Sequence, residues 1–218
     1  MIEVTYIDHM GSDLSVVNAA RVSFGKKSDW LPRVHNGEAK VLSAKDCRLI
    51  EYLARHNHKS PFNHTFTTFH VKAPVFVARQ LVKHEYMPWN EISRRYVDDP
   101  PEFFKPNYWR GRAENVKQGS SGEVKSNANV AYQYHKIEGL YKQLLDEGVA
   151  PEQARMILPQ SMMTEWYWSG TVFSFAKMCS LRCKDDTQAE TRVVADAIDE
   201  EMENLYPMSW ESLREYMG

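Results

Sequence analysis

Apolar residues recur along this chain mainly at helical spacing, with two short stretches that alternate instead. "EVTYIDH" near the start alternates and predicts a strand, because successive side chains of a strand point to opposite faces. "DLSVVNAARVSF" carries Leu14, Val17, Ala20 and Val22, a helical spacing that ends in a β-branched exit. "KKSDWLPRVHNGEAK" is polar, contains Pro32 and Gly37, and predicts a loop. Ser43 followed by Asp46 is a capping-box pattern that opens a helix through "CRLIEYLARH", with Cys47, Ile50, Leu53 and Ala54 on one face. "TFTTFHV", residues 65–71, is rich in Thr and Phe and predicts an internal strand.

Pro74 suits the first turn of a helix, "PVFVARQLVKHEY", with Val77, Ala78, Leu81 and Val82 as its apolar side. Pro88 ends it, and the chain then extends. Residues 98–129 are loop-rich, and "KQGSSGEVKSNAN" predicts a flexible excursion near 110–129. "VAYQYHKIEGLYKQLLDEG" is amphipathic with Gly148 as its stop, and Pro151 begins a further helix through Leu158. "VFSFAKMCSLRC" and "TQAETRVVADAIDEEMENLY" predict two final helices, the second stopped at Pro207. No internal repeat is visible. Helices dominate over a minority of strands, so the fold class is mixed α+β.

Composition narrows the picture modestly. A chain of 218 residues with 43 % hydrophobic content can bury one real core, and a single domain is the default. A net charge of -2 gives no field that would draw nucleic acid. The N-terminal stretch has no basic segment followed by an apolar run, and no stretch approaches the ~18 apolar residues of a membrane span, so neither secretion nor a membrane is expected. Three cysteines, an odd number, match no disulfide framework and suit a reducing cytoplasm.

The densest polar stretch is "VKHEYMPWNEISRRYVDD", where charges interleave with Trp89 and Tyr96 directly after an apolar helix. On a helix from Pro74, Gln80, Lys83 and His84 share a face at i, i+3 and i+4. In an extended arm, Glu91, Ser93 and Arg95 point one way while Ile92, Arg94 and Tyr96 point the other. Guanidinium forks suit phosphate, a serine hydroxyl donates to it, and Gln or Glu reads the amide edge of a planar ring. That inventory fits an anionic nucleotide. The plain alternative is a solvated helix end with surface ion pairs.

"NEISRRY" preceded by "FVARQLVKHE" resembles the signature of the flavin-dependent thymidylate synthases, the ThyX family. "DLSVVNAARVSF", "LIEYLARHNHKSPFNHTFTTFHVKAPVFVARQ", "EQARMILP" and "SLRCKDDTQAE" fall in the family's order, so the resemblance covers most of the chain. It implies a helix-rich single domain over residues 1–218 with a small, mostly antiparallel sheet, of the thymidylate synthase-complementing type. It implies reductive methylation of dUMP to dTMP, with methylenetetrahydrofolate giving the carbon, NADPH the electrons and bound FAD relaying the hydride. It further implies a cytoplasmic homotetramer whose sites are shared between subunits.

Carried over residue by residue, the resemblance puts Gln80, Lys83, Glu91, Ile92, Ser93, Arg94, Arg95, Arg155 and Arg182 at the deoxyuridylate. His58, Ser60, Lys83, His84, Glu85, Glu91, Thr171 and Lys177 fall at the flavin, with Glu91 between the two ligands. Arg182 is the implied catalytic group, since a fixed cation stabilises a uracil ring that has lost its N3 proton. Ser93 has no base partner nearby in sequence and is assigned to binding. No cysteine nucleophile is needed, and Cys179 and Cys183 are expected to pack a helix. The family's Arg-His-Arg is Lys83-His84-Glu85 here, a charge reversal that Lys177, standing where the family has Asn, would offset. Two rivals follow: a family variant that transfers another one-carbon group, and a nucleotide-binding protein without turnover.

The remaining constellations point elsewhere. His56, His58, His64 and His70 lack the spacing of a helical zinc site, so no metal is expected, and His64 and His70 are expected to be buried hydrogen-bonding residues. "GSSGE" lacks the Lys and the strand-to-helix context of a phosphate loop, and is expected to be a linker. Trp166, Tyr167 and Trp168 are expected in the core or at a subunit contact.

Overall fold

The computed structural model describes residues 1–31, 41–114 and 119–217. In chain order the elements are β1 (Glu3–Met10), α1 (Asp13–Arg21), α2 (Ala44–Arg55), α3 (Lys59–Phe62), β2 (Phe66–Pro74), α4 (Val75–Leu81) and β3 (Trp89–Glu91). There follow β4 (Trp109–Arg110), β5 (Glu123–Val124), α5 (Val130–Asp146), α6 (Pro151–Ala154), β6 (Met163–Gly170), α7 (Val172–Arg182), α8 (Ala189–Leu205) and α9 (Pro207–Met217). The class is α+β, with a four-stranded antiparallel sheet in the order β1-β2-β6-β3 and a separate β4–β5 hairpin.

The alternation of β2 sets the layering. Thr67, Phe69, Val71 and Ala73 point inward and are fully buried. Across the pairing Phe69 faces Trp168 and Val71 faces Trp166, so β6 presents its two indoles to the same side. Phe175 of α7 meets Phe69 and Trp168 edge-on, at 5.2 and 5.4 Å between ring centroids. Helix α7 packs against α8 and α9, and α9 against α2, which closes the core. On the outer face His70 pairs with Glu165 at 3.1 Å beside the half-exposed Tyr167.

Several expectations need correction. Strand β6 is not among the elements the sequence pattern predicts, although Trp166 and Trp168 do lie in the core. A run of aromatics hides the period-2 pattern, because Tyr167 on the outer face is as apolar as its neighbours. The helix predicted over 74–86 stops at Leu81, because the chain must turn back to pair β3 with β6. Within that turn Tyr86 adopts φ +59°, a left-handed conformation costly for a side chain with a Cβ. The helix predicted from Asp13 leaves the α conformation at Arg21 for a 3-10 turn, Val22–Phe24, closed by Gly25 at φ +61°. Helix α8 does stop before Pro207, at Leu205, but it is not the final helix: Pro207 is the first residue of α9. Asp13 supplies the cap, its carboxylate accepting the backbone N–H groups of Met208 and Ser209 at 3.0 and 2.9 Å.

His64 is exposed and His70 half-buried, so neither is the buried histidine expected; His70 lies on the outer face of β2, and His64 in the turn before it. The 110–129 excursion includes the β4–β5 hairpin, which Arg110 ties to Glu190 of α8; the "KQGSSGEV" stretch within it lies partly outside the described residues. The predicted 26–40 loop also lies largely outside them. No helix among the described residues is long and apolar enough to cross a membrane.

Candidate functional site: two cavities that share an arginine

Arg182, the last residue of α7, stands in the wall of two cavities, one of about 650 Å³ and one of about 940 Å³. Its Nε donates to His84 Nε2 at 3.2 Å and a terminal nitrogen to the Gln80 carbonyl at 3.4 Å. A guanidinium can only donate, so His84 Nε2 is the acceptor and the ring proton sits on Nδ1. Burial, then the charges of Arg182 and Lys177, lower the His84 pKa to about 4, which makes the imidazole neutral at physiological pH. Burial also lowers the pKa of Arg182, but not far enough to remove its charge.

The larger cavity gathers most of the residues assigned to the flavin. Lys83, His84, Glu85, Thr171 and Lys177 line it together with Arg182. Lys59, Asn63, Tyr86 and Phe173 join them, and nothing in the sequence pattern marked these four. Thr171 caps α7 by accepting from Ser174 N, and its hydroxyl donates to Asn63, which ties the α3 turn to the helix start. Four cations, Lys59, Lys83, Lys177 and Arg182, face a single carboxylate, Glu85. Such a donor set fits an extended ligand carrying a diphosphate, and Phe173 offers a flat apolar surface. His58 and Ser60 sit on the adjacent turn but do not line the cavity; His58 precedes α3 and packs edge-on to Tyr52.

The smaller cavity brings Gln80 to Arg182, with Arg110, Gln188 and Glu190 on its polar side and Trp109 on its apolar side. Gln80 is held from two directions, its amide nitrogen donating to Gln188 and its amide oxygen accepting from Thr191 at 3.2 Å. Gln188 and Glu190 belong to the quoted "TQAE" run, but only the fold reveals that they meet the hairpin.

The extended-arm residues lie apart from both cavities within one protomer. The arm stays extended only to Glu91; Tyr96 N then bonds Ser93 O in a turn, so the expected alternation of Glu91, Ser93 and Arg95 is not formed. Glu91 accepts from Thr164 at 2.7 Å and from the Trp89 indole at 3.2 Å. Ile92 is half-exposed, and Arg94 bonds the Asp99 carbonyl. Arg95 and Arg155 both reach Glu152, the former at 3.6 Å from its carboxylate and the latter at 3.3 Å from its carbonyl. Ser93 Oγ accepts from Arg95 N, and no base is bonded to it among the described residues.

One further cluster lies outside the cavities. Cys179, Cys183 and Asp199 have their ligand atoms within 4.8 Å of one another. Asp199 is occupied by Arg214 at 2.8 Å and by the Trp210 indole at 3.1 Å. Burial, then a hydrogen bond with Cys183, pushes the Cys179 thiol up, and it donates to the Ala195 carbonyl between packed helices.

The chain is similar to known proteins over almost its whole length. The family model described as thymidylate synthase complementing protein matches residues 5–208. A flavin-dependent thymidylate synthase of Thermus thermophilus is 38 % identical over 218 residues, 98 % of this chain and 76 % of that protein. Another from Thermotoga neapolitana is 38 % identical over 98 % of this chain and 91 % of that protein. Among solved structures, the UMP/dUMP methylase PolB from Streptomyces cacaoi bound with 5-Br dUMP superposes with a TM-score of 0.83 at 30 % identity, covering 99 % of this chain and 96 % of that one.

Proposed function

The chain belongs to the thymidylate synthase complementing protein family, the flavin-dependent thymidylate synthases, and from that premise we propose that it methylates dUMP to dTMP. Methylenetetrahydrofolate is the carbon donor and NADPH the reductant. FAD, when bound, supplies the relay of hydride. The observation that carries this reading is the shared wall: Arg182 borders both the cation-rich cavity and the cavity that holds Gln80.

In this reading Lys59, Lys83 and Lys177 hold the flavin diphosphate in the larger cavity. Gln80 meets the pyrimidine in the smaller one. Arg182 donates toward the ring as negative charge grows at N3 and the adjacent carbonyl, which raises the nucleophilicity of C5. The neutral His84 fixes the guanidinium from behind without adding a competing charge. Ser93, Arg94, Arg95 and Arg155 bind the nucleotide phosphate from another subunit of a homotetramer, which accounts for their distance from Arg182 within one protomer. Glu91 and Ile92 border that arm.

The test is Arg182→Ala in the purified holoprotein. Turnover, followed as tritium release from C5-labelled dUMP, is expected to fall by about 10²–10³ while the flavin absorbance stays, because the lost group serves the pyrimidine. Loss of the flavin with unchanged release per remaining flavin would sink the assignment. PolB is named a UMP/dUMP methylase, so UMP belongs in the same assay, and release from UMP at the dUMP rate would widen the substrate to the ribonucleotide.

A further inference from the structure

The smaller cavity contains a directed chain of hydrogen bonds that nucleotide binding alone does not require. Glu190, in the first turn of α8, is only 8 % exposed, and one terminal nitrogen of Arg110 donates to both of its oxygens at 2.7 Å. Burial opposes ionisation, but the hydrogen bonds from Arg110, the α8 backbone and Gln188, with the Arg110 charge, outweigh it and bring the carboxyl below its ordinary value. A carboxylate has no proton to give. Gln188 must therefore turn Nε2 toward Glu190, at 3.2 Å, which leaves its Oε1 for Gln80. Gln80 in turn gives Nε2 to Gln188 and keeps Oε1 for the Thr191 hydroxyl. A side-chain amide by itself can sit either way round. Here every polarity is dictated from the Arg110 end.

We propose that Arg110, Glu190, Gln188 and Thr191 are positioning residues that lock the amide polarity of Gln80, so that the site accepts uracil and rejects cytosine. The inference rests on the reading that Gln80 faces the pyrimidine. With one N–H committed to Gln188 and one lone pair to Thr191, Gln80 keeps one N–H and one lone pair for the ring. In the neutral ring that binds, before charge develops at N3, uracil offers an N3–H donor flanked by carbonyl acceptors, and an amide of fixed polarity pairs with that edge. Cytosine offers an unprotonated N3 beside an amine. The same amide then sets oxygen against a lone pair and N–H against N–H. A freely turning amide would accommodate both bases. A locked one leaves buried polar groups unpaired with the wrong base, which is how sites reach high discrimination between similar ligands.

The experiment compares dissociation constants for dUMP and dCMP in the holoprotein and in Glu190→Gln, Thr191→Val and Thr191→Ser. Glu190→Gln keeps the shape but lets the new amide donate, and Thr191→Val removes the hydroxyl that holds Oε1. In both, the dCMP-to-dUMP ratio of dissociation constants is expected to fall by about tenfold, the size of one mispaired buried polar contact. Thr191→Ser restores the hydroxyl and is expected to keep the wild-type ratio. If Glu190→Gln does not fold, the Thr191 pair decides by the same ratio. A merely structural role would weaken both nucleotides together; an unchanged ratio overturns the proposal. Wild-type protein that binds dUMP and dCMP equally overturns it too and leaves the nucleotide site standing. Wild-type protein that binds neither overturns both readings.

Discussion

At the scale of single residues, the departure of Lys83-His84-Glu85 from the family pattern matters most. Glu85 places a carboxylate in the cavity proposed for the flavin, where a diphosphate would meet it unfavourably. Lys177 borders the same cavity, and its charge already reaches His84. We propose that Lys177 offsets Glu85 there. Lys177→Met is expected to weaken FAD binding by roughly 1–3 kcal/mol, about ten- to a hundredfold, with the double variant Lys177→Met, Glu85→Gln recovering part of the loss. Fluorescence titration of the stripped protein with FAD measures both; a Lys177→Met protein that holds FAD as tightly as wild type removes the compensation. Glu85 and Lys177 were legible in the sequence, because a charge reversal shows in the residue types alone. Lys59, Asn63 and Tyr86 were not, because a lysine on an exposed turn looks the same in sequence whether or not a cavity opens beside it.

At the scale of elements, local signals were legible where local chemistry decided the outcome. Ser43 does open α2, accepting from Asp46 N, as its spacing predicts. What the spacing hid is the second use of Asp46. Its buried carboxylate accepts from Arg21 at 2.5 Å and from the hydroxyls of Ser28 and Ser43, so it joins α1 and the following loop to the start of α2. Burial raises its pKa, but the hydrogen bonds from Ser43, Arg21 and Ser28 and the Arg21 charge lower it further, to a net depression. Asp46 therefore stabilises the fold above the unfolded pKa of about 3.9, and that contribution disappears as pH falls through the lower folded value. Asp46→Asn is expected to cost about 3–5 kcal/mol at pH 7, the range for breaking a buried pair, with the gap to wild type shrinking below about pH 4. Urea unfolding at pH 7 and pH 3 measures the two; an equal gap at both would mean that packing, not charge, is lost. The same logic explains α9: the proline does stop the long α8, but that it also starts another helix shows only once Asp13, distant in sequence, supplies the cap.

At the scale of the whole molecule, residue types announced the polar chemistry but could not divide it by place. The single stretch from Val82 to Asp99 looked like one site, yet Lys83 and His84 border the larger cavity at Arg182 while Arg95 pairs with Glu152 beside Arg155. The division arises because α4 stops at Leu81 and β3 carries the chain along β6, a pairing set by residues about 75 positions away. In the proposed reading a single protomer holds two incomplete halves, and a symmetric oligomer that sets the Arg95 half of one copy against the Arg182 half of another would complete each site. Arg95→Ala and Arg182→Ala should then each be nearly inactive alone at limiting dUMP, since one loses phosphate binding and the other ring activation. Co-expressed with distinct tags and purified through both, the variants should regain activity. If each site draws its two arginines from two subunits at random, about one site in four is intact, and activity should approach about a quarter of wild type. Doubly tagged tetramers that stay as inactive as the parents would show that both arginines serve the same site from one chain, and the division between Glu152 and Arg182 would then have to be closed by a change of conformation within the protomer.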